Sequence, residues 1–209
     1  ARAVLAKPPD IRQYPDQEDT EGWLSMIAAA DTDSRGRYAT LQLPVHTEER
    51  QVAGVPIYVL RAEDVPDSDR RPVYLDLHGG GLIYGGGDVA GLSAARYAAV
   101  TGMVHWAVDY RMPPLHPYPA GLDDVVAVYR ALLDERDPAD IVVGGASAGG
   151  NLAAALALRA KDESLPMPAA LVLLTPEVDL TESGDSFTTV EAFDNTLNSL
   201  RPVNLLYAN

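Results

Sequence analysis

A Gly-x-Ser-x-Gly pentapeptide is the part of this sequence best suited to covalent chemistry. It runs from Gly145 to Gly149 around Ser147, between the apolar β-branched run Ile141–Val143 and an alanine- and leucine-rich stretch that predicts a helix. A serine on so sharp a strand-to-helix turn has a strained backbone and an exposed hydroxyl, and flanking glycines let the two elements approach each other. We therefore expect Ser147 to attack a carbonyl carbon, with the helix N-terminus favouring the negative charge that develops.

A second motif could stabilise that negative charge. The stretch His78-Gly79-Gly80-Gly81 directly follows Val73–Leu77, an apolar run that predicts a strand. Backbone amides of glycine have no side chain in the way and can point at an incoming oxyanion. Both motifs lie at the carboxyl ends of predicted strands, where α/β sheets place their sites. The glycine loop and Ser147 are therefore expected to meet.

With two further motifs, these residues resemble the hormone-sensitive-lipase-like carboxylesterases of the α/β-hydrolase fold. The further motifs are Asp109-Tyr110-Arg111, followed by His116–Ala120, and then Pro176–Thr181; all four occur in the family's order over residues 45–200. The resemblance implies an α/β fold, with a mainly parallel sheet, helices on both faces and a helical cap. Two positions depart from the pattern, because Ala146 stands where the family usually has an acid and Glu177 where it has an aromatic residue.

The resemblance also implies an activity and the residues that carry it. It implies a carboxylic-ester hydrolase that acts on acyl esters of short chain through an acyl-enzyme on Ser147, with no cofactor and no metal. The oxyanion hole would consist of backbone amides of Gly80, Gly81 and Ala148. Supporting positions within the motifs are His78, Gly79, Asp109, Tyr110, Gly145 and Gly149.

Two alternative functions stay open at this point. The fold can lose its catalytic residues and keep its pocket, which would leave a non-catalytic module that binds a small ligand. Amide hydrolysis or deacetylation differs from ester hydrolysis only in the leaving group.

The sequence does not supply a catalytic histidine in the expected place. In this fold the acid and then the histidine follow the nucleophile, but His46, His78, His105 and His116 all precede Ser147. We expect His46 to lie at the surface, His105 to lie in the core and His116 to be structural.

The most economical interpretation is that these residues are the N-terminal part of a longer hydrolase. A remaining C-terminal segment would then supply the acid, the histidine and the last strands, and would be the partner of a chain that is inactive alone. Asp179 is the only acid after Ser147 in a plausible place, and in the family that aspartate supports structure.

Periodicity and turn residues predict the elements that position the motifs. The predicted helices cover Thr20–Ala30, Leu92–Val100 and Leu122–Leu133. The predicted strands are a hairpin over Gln51–Arg61 that turns at Ala53-Gly54, and runs at Met103–Val108 and Ala169–Leu174. Residues 1–44 are assigned to a cap segment, 45–180 to the hydrolase core and 181–209 to a second cap segment, although the first helix could also be an ordinary packed surface helix.

Composition narrows the range of partners. The formal charge of −14 argues against nucleic acid, because phosphate backbones are bound by clustered cations. No apolar run is long enough for a membrane span, and the absence of cysteine excludes disulfides and thiolate metal sites. With no secretory signal visible, we place the protein in the cytoplasm.

Overall fold

One sheet of six strands organises the residues that the computed structural model describes, which are 13–65, 72–189 and 199–209. The strands are β1 (Val45–Val52), β2 (Val55–Ala62), β3 (Val73–Leu77), β4 (Val104–Val108), β5 (Ile141–Ala146) and β6 (Ala170–Leu174). The helices are α1 (Thr20–Ala39), α2 (Asp88–Thr101), α3 (Ala120–Glu135), α4 (Ala148–Asp162), α5 (Ser186–Thr189) and α6 (Arg201–Ala208).

The strand order β1-β2-β4-β3-β5-β6 makes the sheet mainly parallel. Strands β3, β4, β5 and β6 pair in parallel, and only the hairpin strands β1 and β2 run antiparallel to their neighbours. Each parallel strand is joined to the next by a helix, as parallel pairing requires. The carboxyl ends of β3 and β5, which carry the two glycine motifs, are therefore neighbours at one edge of the sheet.

Helices cover both faces of the sheet. In β2, Ile57 joins the apolar cluster formed with α3 and α4, whereas Leu60 packs with Ala94 and Ala98 of α2. Residues an odd number of positions apart point to opposite faces of a strand, so α2 lies on one face and α3 and α4 on the other. Helix α1 packs against α2.

A buried polar pair lies on the α2 face of the sheet. His105 is fully buried, as predicted, and its Nδ1 lies 3.0 Å from Oδ2 of Asp76, while its Nε2 lies 2.8 Å from Oγ1 of Thr101. The imidazole also stacks on Tyr74, with 4.6 Å between ring centroids. Because both ring nitrogens have partners, the cost of burying them is offset.

Helix α1 is longer than predicted, since it ends at Ala39 rather than Ala30. Its polar second half is held by neighbours that are distant in the sequence. Oδ1 of Asp31 accepts a hydrogen bond from the amide of Gly85 at 2.7 Å, and Arg35 pairs through two nitrogens with Asp88. We predict from helical spacing that Trp23, Leu24, Ile27 and Ala28 share one apolar face, but Leu24 is 40% exposed and does not belong to the packed side.

The hairpin turns at Ala53-Gly54 as predicted, with φ of 51° and 81° at the two residues. Its strands are longer than expected, because the polar residues of β1 pair along the whole of β2 in spite of their exposure. Helix α2 ends at Gly102, which has the left-handed φ of 64° expected of a C-terminal stop.

A small apolar cluster joins the two segments that the sequence assigns to the cap. Trp23 of α1 packs with Val203 and Leu206 of α6, and with Ile83 from the loop after β3. The indole Nε1 donates to the carbonyl of Asp16 at 3.0 Å. Phe193 and Leu197, also predicted as cap residues, lie outside the described residues, and Phe187 and Leu205 are exposed.

Strand β6 forms one edge of the sheet and, within the described residues, pairs only with β5. Three of its side chains, Leu171, Leu173 and Leu174, are 39–40% exposed. An exposed apolar edge of this kind is a template for further strand pairing. None of the helices in the described ranges is long and apolar enough to cross a bilayer.

We expect Trp23→Ala to lower the free energy of unfolding by about 3–5 kcal/mol, because it leaves a cavity between α1, α6 and the loop after β3. Leu24→Ala is the matched control on the same helix, and as an exposed position it should cost under about 1 kcal/mol. Urea denaturation followed by circular dichroism measures both. Equal losses would show that the indole does not hold these segments together.

Candidate active site

Ser147 occupies a strained turn between β5 and α4. Its φ of 55° and ψ of −118° lie in a region that non-glycine residues rarely adopt, at a cost of about 1–3 kcal/mol. The amide of Ser147 donates to the carbonyl of Leu174 at 2.9 Å, and its own carbonyl accepts from Asn151 at 3.1 Å. The side chain is half-buried, and within the described chain its hydroxyl makes no hydrogen bond. The turn therefore presents a free hydroxyl.

The glycines on either side of Ser147 allow the turn to touch the end of β3. A Cβ added to Gly149 would clash with the carbonyl oxygen of Leu77 and lie 2.7 Å from that of His78. A Cβ on Gly145 would clash with the same Leu77 oxygen and lie 2.6 Å from the backbone of Gly149. Any side chain at these two positions would push the serine turn away from the glycine loop.

The glycine loop lies directly against the serine. A Cβ built on Gly79 would be 3.7 Å from Cβ of Ser147 and 2.8 Å from the carbonyl oxygen of Ala146. Gly80 and Gly81 have φ of 129° and 58°, values that favour glycine. Within the described residues, the amides of Gly80, Gly81 and Ala148 donate to no protein acceptor. These three amides are therefore free to bind an oxygen of a ligand.

Side chains at the end of β4 and on α1 hold this loop. Oδ1 of Asp109 accepts from the amide of Gly87 at 2.7 Å, and the hydroxyl of Tyr110 donates to the carbonyl of His78 at 2.7 Å. Tyr110 also stacks on the His78 imidazole, with centroids 4.1 Å apart. Asp31 of α1, described above, holds the amide of Gly85. Sequence reasoning missed Asp31, because a lone aspartate within a helix has no motif around it.

Arg111, the third residue of the Asp109-Tyr110-Arg111 motif, makes its hydrogen bonds within the described residues to α3 and not to the loop. Its guanidinium pairs instead with Asp124 of α3, with Nη2 2.7 Å from Oδ1, and its backbone amide donates to Oδ2 of the same carboxylate. The third residue of the motif therefore ties the end of β4 to α3.

The His78 imidazole lies under the loop in its neutral form. Burial lowers the pKa of His78 to about 4, against the opposing effects of the Gly79 carbonyl, 2.9 Å from Nδ1, and of the Asp76 charge. The short distance to a carbonyl assigns the proton to Nδ1, and within the described chain Nε2 is buried without a partner. A histidine with so low a pKa is a weak base.

The remaining candidates from the sequence lie in structural or exposed positions. His46 is exposed on β1, as predicted, and His116 is exposed in the segment before α3. Asp179 closes a turn, because its carboxylate accepts from the hydroxyls and amides of Thr181 and Ser183, which lowers the pKa of Asp179 to about 2. Nowhere in the described ranges do three or more metal-ligating side chains cluster.

Glu177 lies beside the serine turn with an unusual environment. Its amide donates to the carbonyl of Ser147 at 3.3 Å, and its own carbonyl accepts from Asn151 at 2.7 Å. Within the described residues, Oε2 of Glu177 and Oδ1 of the adjacent Asn204 are both buried without partners. Burial first, and then the charge of Glu182, raise the pKa of Glu177, and Asn204 opposes this shift.

A cavity of about 180 Å³ opens above the serine and the glycine loop. Its floor consists of the carboxyl ends of β3 and β5, and its walls come from α1 and α2. The lining includes Ser147, Gly79, Gly80 and Asp76. A ligand in the cavity would therefore have access to the serine hydroxyl and to the glycine loop.

Known proteins are similar to this chain in sequence and fold. The profile of the α/β hydrolase fold matches residues 74–207. A solved esterase from the bacterial hormone-sensitive lipase family is 31% identical, and the alignment covers 94% of this chain and 70% of that protein with a TM-score of 0.77. The chain belongs to the hormone-sensitive-lipase-like family of the α/β-hydrolase fold. The resemblance predicted from the motifs is thus confirmed.

Two further similarities agree with this family membership. The crystal structure of an esterase named E25 is 29% identical, with a TM-score of 0.83 over 99% of this chain and 62% of that one. An esterase of Acinetobacter venetianus is 34% identical over 138 residues, which are 65% of this chain and 46% of that relative. The chain therefore spans about half the length of this curated relative.

We predict that Glu177→Gln stabilises the protein at neutral pH. Because the folded-state pKa of Glu177 is raised, the contribution of Glu177 to stability is greatest below the ordinary glutamate pKa and is lost as the pH rises through the raised value. A glutamine amide can donate to Asn204 and carries no charge, so the gain at pH 7 should be about 1 kcal/mol.

Urea denaturation between pH 4 and pH 8 measures this difference. Glu63→Gln, at an exposed position, removes the same charge and should leave the stability profile close to that of the wild type. A Glu177→Gln protein that is less stable at pH 7 would contradict the prediction.

Proposed function

We propose that this chain carries the nucleophile and the oxyanion hole of a serine carboxylesterase that hydrolyses acyl esters of short chain. The observation that carries the proposal is the contact of the glycine loop with the strained serine turn. Gly79, at the start of the loop, lies against Ser147, and the hydroxyl of that serine is free within the described residues. We assign the oxyanion hole to the backbone amides of Gly80, Gly81 and Ala148, which donate to no acceptor in the described residues. Membership in a family with solved esterases supports the same reaction.

The geometry suits acyl transfer in two steps. Oγ of Ser147 attacks the ester carbonyl carbon and loses its proton to a base, while the carbonyl oxygen gains the electron pair. The loop amides and the amide of Ala148 donate hydrogen bonds to this oxyanion. Its collapse expels the alcohol, which takes up the proton, and water then attacks the acyl-enzyme to release the acid. Removing one such donor costs about 10²–10³ in kcat in serine hydrolases.

We propose that the base and its acid come from a C-terminal segment of the same protein outside these residues. A serine hydroxyl is a weak nucleophile without a base. Burial lowers the pKa of His78 to about 4, and both ring nitrogens of His105 have partners. His46 and His116 are exposed, and neither lines the cavity above Ser147. The length of the relatives also supports this proposal.

Residues 1–44 and 181–209 are proposed to form a cap over the site. Two contacts support this assignment: Trp23 packs with residues of α6, and the side-chain amide of Gln17 donates to the carbonyl of Pro202 at 2.9 Å. Both segments also meet the loop after β3 through Ile83. A cap in this position would restrict access to the cavity.

In the whole encoded protein, Ser147→Ala should abolish hydrolysis of p-nitrophenyl butyrate, with a loss of about 10⁴-fold or more, because the catalytic residues act as a unit. Circular dichroism checks that the fold is intact. Ser186→Ala, an exposed serine on α5, is the matched control and should retain full turnover. Turnover that persists in Ser147→Ala would mean that another group is the nucleophile.

Butyrate esters should be hydrolysed faster than palmitate esters. The cavity of about 180 Å³ is smaller than the roughly 300–1,000 Å³ of sites that hold drug-sized ligands, so a long acyl chain would not fit within it. Comparison of kcat/KM for p-nitrophenyl butyrate and palmitate measures the preference. Faster hydrolysis of palmitate would refute the assignment of short-chain esters.

A further inference from the structure

Two arginines line the cavity above Ser147 without a carboxylate partner. Arg37 comes from α1 and Arg96 from α2, and both contribute to the cavity wall. Within the described residues, neither guanidinium lies within 4.0 Å of a carboxylate oxygen. Six other arginines do form such ion pairs, namely Arg35, Arg50, Arg111, Arg130, Arg136 and Arg159.

Neutral groups hold the two guanidinium groups in place. Nη2 of Arg37 donates to Oγ of Ser34 at 3.0 Å, and Arg96 donates to the carbonyl and hydroxyl of Ser93 at 3.3 and 3.4 Å. The Arg96 guanidinium also lies 4.9 Å from the ring centroid of Tyr38. Such contacts orient a guanidinium but leave its positive charge uncompensated and several N–H groups free.

The composition of the chain offers many possible carboxylate partners for these two arginines. The sequence has 30 acidic and 16 basic residues, so an unpaired arginine has an excess of carboxylates from which to find a partner. Among the described residues, Asp76 is the one carboxylate in the cavity lining, and it accepts from His105 instead. Two cations therefore face the same cavity as the serine, in a chain whose net charge is negative.

We propose that Arg37 and Arg96 form a carboxylate subsite and that the preferred ester carries a carboxylate at the end remote from the scissile bond. This inference rests on the proposed esterase function and adds the chemical class of its substrate. A planar guanidinium can donate two parallel hydrogen bonds to one carboxylate, which orients the carboxylate as well as attracting it. The ester group of such a substrate would reach Ser147 through the shared cavity.

The test compares charged esters with neutral analogues of the same shape in the whole encoded protein. Monoethyl esters of dicarboxylic acids with four to eight carbons place the charge on the acyl side, and ω-acetoxy carboxylic acids place it on the alcohol side. Each is compared with its primary amide, and the measured quantity is the ratio of kcat/KM for carboxylate over amide. We expect a ratio of about ten or more in one series, because the binding energy of one hydrogen bond to a charged group corresponds to about a tenfold change in kcat/KM.

Variants assign this preference to the two arginines. Arg37→Gln and Arg96→Gln should each lower the ratio severalfold, and the double variant should bring it close to one. Arg96→Lys keeps the positive charge but cannot donate two parallel hydrogen bonds, so it should retain part of the preference for the carboxylate ester. Arg130→Gln, on α3 at the other face of the sheet, is the control for net charge and should leave the ratio unchanged. Circular dichroism checks the fold of every variant.

The outcomes separate this inference from the esterase proposal. Hydrolysis of the amide esters with a ratio near one in both series, or a ratio unaffected by the Arg37 and Arg96 variants, would overturn the carboxylate subsite and leave the esterase proposal intact. A ratio that falls equally in Arg130→Gln would overturn the subsite as well. Failure to hydrolyse any ester would overturn both.

Discussion

The close contact between the carboxyl end of β3 and the serine turn is the constraint on which the site depends. The carbonyl oxygen of Leu77 occupies the space where side chains of residues 145 and 149 would lie, so only glycine permits the approach. In the parallel pairing of β3 with β5, Leu77 lies opposite Gly145. This register brings the glycine loop beside Ser147. The strain at Ser147 is tolerated because well-packed elements on both sides fix the turn.

A loop of glycines has much conformational freedom to lose, and the surrounding structure supplies contacts that restrict it. The carboxylates of Asp31 and Asp109 each accept a hydrogen bond from a backbone amide of the loop region. The ring of Tyr110 stacks on the His78 imidazole, and its hydroxyl donates to the His78 carbonyl. Helix α1 contributes twice, through Asp31 and through the contact of Trp23 with Ile83. The N-terminal helix therefore does more than cover the sheet, because it also orders the loop that borders the serine.

Local patterns predicted most of the elements but few of the long-range polar contacts. Glycine motifs, apolar strand runs and the helical period of α3 are visible in the sequence because each depends on residues a few positions apart. The second half of α1 was missed because its polar residues are held by Gly85 and Asp88, more than fifty positions away. The Asp124 partner of Arg111 was missed for the same reason, since no local signal reports which carboxylate a side chain will meet.

The central claim is that Ser147 is a nucleophile set beside a preformed oxyanion hole. The most direct measurement is the reaction of the whole encoded protein with a fluorophosphonate, followed by intact mass and peptide mapping. We expect one adduct per molecule, on the peptide that contains Ser147, because the phosphonyl oxygen can occupy the position of the oxyanion. Prolonged exposure that gives no adduct, or an adduct on a different serine, would contradict it.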